Sequence, residues 1–197
     1  MPLSLRRSEG FTLLELMVTM AIAAILLTIG VPGLTTFIAN NRMVSQVNAM
    51  VGVLNAARME AIAQRRTVTV CGSSNGTSCD GTWSSNWIAF VDQNANGTIN
   101  TTTPPAATDD VVIRTAKVNS NLTVAVLGNS GAATIQFNAQ GFAVNASSTV
   151  RICDGRGNTY ARGAILLASG RVAIATDTDS TKDNIVNGHD NANLSCS

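Results

Sequence analysis

The stretch from Arg6 to Val31 reads RRSEGFTLLELMVTMAIAAILLTIGV, and it decides how the rest of the chain is organised. Between Phe11 and Val31, 16 of 21 residues are apolar. As a helix rising about 1.5 Å per residue, this segment would be about 30 Å long, which is the thickness of the hydrocarbon core of a bilayer. The stretch therefore predicts one membrane-spanning helix over residues 11–31.

The basic residues around this segment predict its orientation. Arg6 and Arg7 precede it, and the next basic residue is Arg42. By the positive-inside rule, the N-terminus stays in the cytoplasm and the rest of the chain crosses the membrane. A cleaved secretory signal peptide is the alternative, but its small-residue site, Ala21-Ile22-Ala23, lies in the middle of the apolar run. The pattern favours a retained anchor.

One acidic residue, Glu15, lies inside the apolar run. A carboxylate within an apolar helix costs a few kcal/mol on insertion into lipid, so it usually has a partner or a function. The order Arg6-Arg7-Ser8-Glu9-Gly10 and then Phe11-Thr12-Leu13-Leu14-Glu15 resembles the class III signal of type IV pilins and pseudopilins. The resemblance implies that a prepilin peptidase removes a leader of residues 1–10 by cutting after Gly10. It also implies N-methylation of Phe11.

In this family the glutamate at the fifth position of the mature chain governs filament assembly, and the resemblance implies the same role for Glu15. The cut frees an amine on Phe11, and Glu15 of an incoming subunit can pair with the Phe11 amine of its neighbour. In a low dielectric, two charges that neutralise each other gain more than either does alone in lipid. Our hypothesis is that Glu15 sets the register of assembly.

The residues after the apolar run predict that the helix continues in amphipathic form over residues 32–66. Pro32, flanked by two glycines, is expected to end or kink the first helical segment. Beyond it, apolar residues recur at helical spacing and predict a stripe that packs on the following domain. The members of this stripe are Val44, Val47, Val51, Leu54 and Ala61.

From Thr67 to Ser197 the pattern changes to short apolar or alternating runs separated by turn residues, which is typical of a β-rich domain. The chain therefore reads as α+β, a long N-terminal helix followed by a β-rich head. The predicted strands are Thr67–Cys71, Trp87–Val91, Val111–Thr115, Leu122–Leu127, Thr134–Phe137, Val150–Cys153, Ala164–Leu167 and Val172–Ala175.

The head carries a second, narrower resemblance. Trp87-x-x-Phe90-x-Asp92-x-Asn94-x-Asn96-Gly97, then Phe137-Asn138-x-x-Gly141, Arg151-Ile152-Cys153-Asp154 and Ser169-Gly170-Arg171-Val172 follow in order. These pieces resemble the GspH/FimT (FimU-like) branch of minor pilins and pseudopilins. The resemblance implies a type IV pilin-like fold, with two antiparallel sheets packed on the second half of the long helix.

Four cysteines lie beyond the membrane segment, at positions 71, 79, 153 and 196. An even count in an exported domain favours two disulfides. Sequence alone permits three pairings, of which we favour Cys71–Cys79, closing a small loop, and Cys153–Cys196, tying down a polar tail. Their spacing does not match a zinc site, and the chain has a single histidine, His189.

The remaining motifs predict no catalytic site, no metal and no cofactor. Asp92-Gln93-Asn94-Ala95-Asn96-Gly97 matches the opening of an EF-hand loop, but the acid at its twelfth position is replaced by Thr103. We therefore expect an Asx-rich hairpin turn there. With 13% charged residues and a formal net charge of +1, the whole chain gives no sign of a strongly electrostatic partner.

DNA binding is the sharpest alternative function, because some members of the GspH/FimT branch act as DNA receptors in natural transformation. The family motif for this is Gly-Arg-x-Arg, whereas this chain has Gly170-Arg171-Val172-Ala173 and lacks the second arginine. From Thr67 onward acids outnumber bases by two, and phosphate binding needs local positive charge. DNA binding is therefore not favoured, and its candidate contacts are Arg151, Arg156, Arg162 and Arg171.

Taken with both resemblances, the sequence predicts a structural subunit that primes or caps a type IV pilus, and not an enzyme. The implied partners are other minor pilins, the major pilin, the prepilin peptidase and the inner-membrane assembly platform. The implied location is the bacterial inner membrane, with a single span and a periplasmic C-terminal head, and then the pilus at the cell surface. A type II secretion pseudopilin shares the same signals and stays open as an alternative.

Overall fold

The structure is a computed structural model that describes residues 10–102, 106–129 and 133–196. Residues 1–9 of the predicted leader lie outside the described residues. The chain forms two compact units, the first extending to Asn40 and the second beginning at Asn41.

The N-terminal α-helix, α1, spans Leu13–Gln64. Of the two effects predicted for Pro32, the helix does not end there, since Pro32 lies inside α1, and a kink stays a prediction. A proline inside a helix removes only one backbone donor, so one carbonyl oxygen, four residues earlier, loses its helical hydrogen bond while the helix continues. Separately, Thr35 Oγ1 and Thr36 Oγ1 both donate to the carbonyl oxygen of Pro32, at 2.9 and 3.1 Å. The helix ends at Gln64, and the next residue, Arg65, has a left-handed φ of 52°.

In the part of the chain that the structure describes, eight antiparallel strands follow α1, and all eight overlap the runs predicted from the sequence. They are β1 (Thr67–Ser73), β2 (Asn86–Asp92), β3 (Val111–Lys117), β4 (Thr123–Gly128), β5 (Thr134–Phe137), β6 (Ser148–Cys153), β7 (Arg162–Leu166) and β8 (Val172–Ile174). The first sheet has the order β3-β2-β1-β5, and the second has the order β4-β6-β7-β8. The α+β fold class is confirmed.

One hydrophobic core joins the second half of α1 to a face of each sheet. The helix contributes buried residues at steps of three and four, which place them on one face. These residues are Met43, Val47, Met50, Val53, Leu54, Ala57 and Ala61. The predicted stripe was right at Val47, Leu54 and Ala61, and its member Val51 is half-buried against the core. It was wrong at Val44, which is half exposed, and it missed Met43, Met50, Val53 and Ala57.

The outer face of each sheet is covered by an irregular segment that a disulfide attaches. Cys71 bonds Cys79 beside buried Ile88 and Phe90 on the first sheet. Cys153 bonds Cys196, and the tail buries Val186 and Leu194 against the second sheet. The tail also reaches the sheet through Thr149, whose hydroxyl oxygen accepts from the His189 backbone N–H at 2.8 Å.

Candidate assembly site

The residues predicted to control processing and assembly lie at the start of α1. Gly10 and Phe11 precede the helix, and the Phe11 side chain is 82% exposed. Glu15 lies in the first turn of α1 and is exposed. An acid in the first turn interacts favourably with the partial positive charge of a helix N-terminus. The structure thus places the carboxylate one helical turn after the residue that would become the N-terminus.

Sequence reasoning missed the residue that caps this helix. Thr12 Oγ1 accepts the backbone N–H of Glu15 at 3.2 Å, and the Thr12 carbonyl oxygen accepts the N–H of Leu16 at 3.2 Å. Thr12 is therefore the N-cap residue. The signal was present in the sequence, because Thr-x-x-Glu is the capping-box pattern. The cap fixes where the helix begins and hence where Glu15 lies on it.

The first unit presents an apolar surface that is long enough to cross a membrane. α1 meets the length and composition of a spanning helix, and its most apolar window has no buried residues within the structure. Its threonine hydroxyls are bonded internally, with Thr19 Oγ1 donating to the Leu16 carbonyl and Thr28 Oγ1 to the Ile25 carbonyl. Hydroxyls bonded to their own helix can enter lipid without unsatisfied donors.

The EF-hand-like segment forms a turn organised by the buried carboxylate of Asp92. Asp92 Oδ2 accepts from Thr69 Oγ1 at 2.7 Å and from the Gly97 N–H at 2.8 Å. Asp92 Oδ1 accepts from the Asn96 N–H at 3.1 Å. Both oxygens therefore bond to protein donors, as expected of an Asx-rich turn.

A second loop is held in the same way by an exposed carboxylate. The Thr102 N–H and the Ala106 N–H each donate to Asp109 Oδ2 at 2.9 Å. These bonds, led by that from Thr102, hold the pKa of Asp109 below its usual value. Hydrogen bonds from two backbone amides thus hold the Asp109 carboxylate in place.

Three acids in the tail form the one group of potential metal ligands within the described ranges. Asp177, Asp179 and Asp183 each offer a carboxylate oxygen, and these atoms lie within 4.8 Å of one another. Asp179 Oδ1 accepts from the Thr181 hydroxyl at 2.6 Å, which is the main cause of a lowered Asp179 pKa. Asp177 and Asp179 are half-buried and Asp183 is exposed. Acidic groups near a surface commonly cluster in this way without a metal, and the sequence predicts none.

The four arginines suggested as DNA contacts do not form one surface. Arg151 is opposite Gly163, whereas Arg162 is opposite Ile152 in the same pair of strands. Because side chains alternate across a sheet, Arg151 and Arg162 lie on opposite faces of it. Arg162 lies at the open end of the β7–β8 hairpin, whereas Arg171 lies next to its turn, about five residues away along the strand.

The fourth arginine, Arg156, is engaged within the protein. Its Nη2 lies 2.6 Å from Asp154 Oδ2, and its guanidinium lies 4.0 Å from the ring centroid of Tyr160. Burial disfavours ionisation of Asp154, but the hydrogen bonds and charge of Arg156 outweigh it and hold the pKa of Asp154 below its usual value. The sequence grouping therefore does not correspond to a basic patch.

Comparison with known proteins places this architecture in a family. A family model described as type II transport protein GspH matches residues 46–170. A second model, described as the prokaryotic N-terminal methylation motif, matches residues 5–31. No curated protein sequence matches the chain.

Two crystal structures of one protein show the same fold. The type IV minor pilin FimU of Pseudomonas aeruginosa strain PAO1 is 22% identical in two crystal forms. In one crystal form the match covers 74% of this chain and 95% of the crystallised FimU chain, with a TM-score of 0.53. In the other it covers 70% of this chain and 94% of the crystallised chain, with a TM-score of 0.50. The minor pseudopilin EpsH of the Vibrio cholerae type 2 secretion system is 9% identical, with 68% and 95% coverage and a TM-score of 0.46. Since the GspH model spans more than half of the sequence, behind a methylation motif, the chain belongs to the GspH/FimT-like family of minor pilins and pseudopilins.

Proposed function

We propose that this chain is a minor pilin that primes or caps a type IV pilus. Prepilin peptidase cuts after Gly10 and methylates Phe11, and the mature subunit waits in the inner membrane with its head in the periplasm. It then joins other minor pilins and the major pilin at the assembly platform. The family consists of structural subunits that assemble into a pilus or pseudopilus, which supports this role over an enzymatic one.

The single observation that carries the proposal is the position of Glu15. It is the one charged residue between Phe11 and Arg42, and it lies in the first turn of a helix with an exposed apolar surface. A neighbouring subunit's Phe11 amine at about 4 Å would interact with it by about 4 kcal/mol at an effective dielectric of about 20. Pairing removes two charges from lipid at once, so it favours insertion of a subunit beside its neighbour over solitary diffusion.

The test replaces Glu15 with valine in the full chain and follows the protein into pili. We expect cleavage and membrane insertion to continue while the amount in sheared pili falls by about tenfold or more, since 1.4 kcal/mol is a factor of ten. Glu60→Gln, a charge change on the second half of the same helix, is the matched control. Wild-type amounts of the Glu15 variant in pili would refute the assembly role.

Processing is tested separately by mass spectrometry of the native polypeptide. We expect the chain to begin with methylated Phe11 in cells that contain an active prepilin peptidase. A chain that still begins at Met1 or Pro2 would contradict the whole proposal.

A type II secretion pseudopilin is the second candidate, because the family model that covers residues 46–170 carries that description. Deletion of the gene separates the two functions. Loss of surface pili with normal secretion supports the pilus role, whereas normal pili with loss of secreted enzymes supports the pseudopilus role.

A further inference from the structure

Three exposed apolar side chains continue the membrane-spanning segment of α1 beyond Pro32. Leu34, Phe37 and Ile38 are 58%, 62% and 40% exposed, and they belong to the first compact unit, which extends to Asn40. Successive residues of a helix are rotated by about 100°, so these three side chains fall within about 100° of one another. They form one apolar stripe, the 34–38 stripe, on one side of the helix.

The apolar character of the helix changes from all-round to one-sided at Pro32. Over residues 13–31, large exposed apolar side chains lie on every side of α1. Beyond Pro32 the side opposite the stripe carries Thr36, whose hydroxyl, like that of Thr35, donates to the Pro32 carbonyl oxygen. A helix that is apolar all round is surrounded by apolar material, whereas a one-sided helix lies at a boundary between apolar and polar surroundings. The change of pattern therefore places the edge of the hydrocarbon near Pro32.

The length of the helix places the stripe in the headgroup layer of the bilayer. From Leu13 to Ile38, α1 rises by about 38 Å. This exceeds the hydrocarbon core of about 30 Å but not the full bilayer of about 40–45 Å with its headgroup layers. No charged residue lies between Glu15 and Arg42 to keep this part of the chain out of the headgroup layer. The stripe is thus continuous with the spanning segment at the side where the chain leaves the membrane.

The residue types of the stripe favour lipid over a neighbouring helix as its partner. Helices that pack on each other within a membrane usually do so through small residues, which let the backbones approach. Here the small residues Gly33, Thr36 and Ala39 lie on the side away from the stripe. Large apolar side chains such as Leu34 and Phe37 are instead typical of the face that an interfacial helix inserts among acyl chains.

We propose that the 34–38 stripe binds the boundary between headgroups and acyl chains in the outer leaflet of the membrane, and so fixes the depth and rotation of the waiting subunit. The inference rests on the proposed function, because that function places the chain in a membrane. The Phe37 ring packs among the upper carbons of the acyl chains, while Thr36 faces the headgroups. A fixed depth also holds Glu15, at the other end of the span, at one level for pairing with a neighbour.

Spin labelling of the full chain in phosphatidylcholine–phosphatidylglycerol vesicles tests this directly. All four native cysteines are bonded in pairs, so one introduced cysteine is the sole free thiol. Labels replace Phe37, Thr36, Leu26 as the reference in hydrocarbon, and Asn55 as the exposed reference in the second unit. Collision rates with oxygen, which concentrates in lipid, and with a water-soluble nickel complex on both sides of the vesicle report the depth of each label.

We expect the Phe37 label to meet the nickel complex about threefold less often than the Asn55 label, and to meet oxygen less often than the Leu26 label. The Thr36 label should meet nickel more often than the Phe37 label, because it lies on the other side of the helix. Collision rates at Phe37 equal to those at Asn55, at Leu26 or at Thr36 would each overturn the proposal.

A matched pair of charged variants tests whether the stripe itself holds the helix in place. Phe37→Asp introduces a carboxylate on the stripe, and Thr36→Asp introduces the same group on the opposite side. With the label on Ile38→Cys, we expect Phe37→Asp to raise nickel collisions about threefold and Thr36→Asp to leave them unchanged. Equal effects of the two variants would overturn the proposal.

A second copy of the chain is the competing partner for the stripe. Labels on two copies that pack through the stripe broaden each other's spectra, whereas labels that face lipid do not when the protein is highly diluted with lipid. Broadening of the Phe37 spectrum at high dilution would assign the stripe to a second copy and overturn the lipid contact.

These measurements separate the inference from the proposed function. If the Phe37 label lies in water while Leu26 stays in hydrocarbon, and incorporation into pili still depends on Glu15, the function stands and the stripe is rejected. A Leu26 label as accessible to nickel as the Asn55 label would show that α1 does not span the bilayer, and would overturn both.

Discussion

Removing the disulfide between Cys153 and Cys196 should destabilise the head more than any surface substitution. The bond joins residues 43 positions apart and closes a loop of 44 residues. The chain-entropy expression for a loop of this length gives about 4 kcal/mol. Since about 1 kcal/mol shifts the melting temperature by about 2–4 °C in a chain of this size, the loss of the bond should lower it by about 8–16 °C.

The structure indicates which contacts oppose this loss. Leu194 and Val186 stay buried against the second sheet, and the Leu194 N–H donates to the Val186 carbonyl oxygen at 3.0 Å. The Cys196 N–H donates to Asn158 Oδ1 at 2.6 Å. Because these contacts hold the tail in part when the covalent bond is gone, we expect the fall in melting temperature to lie towards the lower end of this range.

The assay is thermal unfolding of the full chain in detergent, comparing the double variant Cys153→Ala/Cys196→Ala with the wild type. Ser195→Ala, an exposed neighbour that leaves the bond intact, is the control. Hydrogen exchange should also accelerate at the Leu194 amide in the double variant. A fall in melting temperature of less than about 2 °C would refute the reasoning, since the tail would then be held by its contacts alone.

Three further predictions follow from named contacts. Leu54→Ala in the core should cost about 2–5 kcal/mol in denaturant unfolding, whereas Val44→Ala on the exposed side of α1 should cost less than about 0.5 kcal/mol; similar costs would contradict the observed helix face. Asp92→Ala should lower the free energy of unfolding by about 3 kcal/mol or more, because it leaves buried donors without an acceptor. Asp92→Asn should recover part of this loss. An unchanged stability of Asp92→Ala would contradict the role of this carboxylate in the turn. Asp109 has a lowered pKa in the folded chain. The stability that its ionised carboxylate contributes is therefore complete above its unfolded pKa and is lost as the pH falls through its folded pKa. Asp109→Asn should therefore lessen the acid dependence of stability below about pH 4, and an unchanged slope there would contradict it.

The local pattern of the sequence determined the elements. The stretch from Phe11 to Val31 is mostly apolar and has one charged residue, so its composition and length predict a helix that can span a membrane. Each strand could be predicted because its apolar residues are contiguous or alternate between turn residues, and backbone geometry is a local property. The structure has the cysteine pairing that the sequence favours. This pairing could be predicted because one pair is close in sequence and the other encloses a polar tail.

Only the tertiary structure decided which side chains share a surface. Val44 and Met43 are adjacent and both apolar, yet Met43 is buried and Val44 lines an open groove, since the two sheets fix the rotation of α1. Arg151 and Arg162 fall on opposite faces of the second sheet because strand register, which depends on long-range pairing, assigns each residue its face. The open groove that Val44 lines likewise combines residues from positions 44 to 186, and no window of the sequence contains them together.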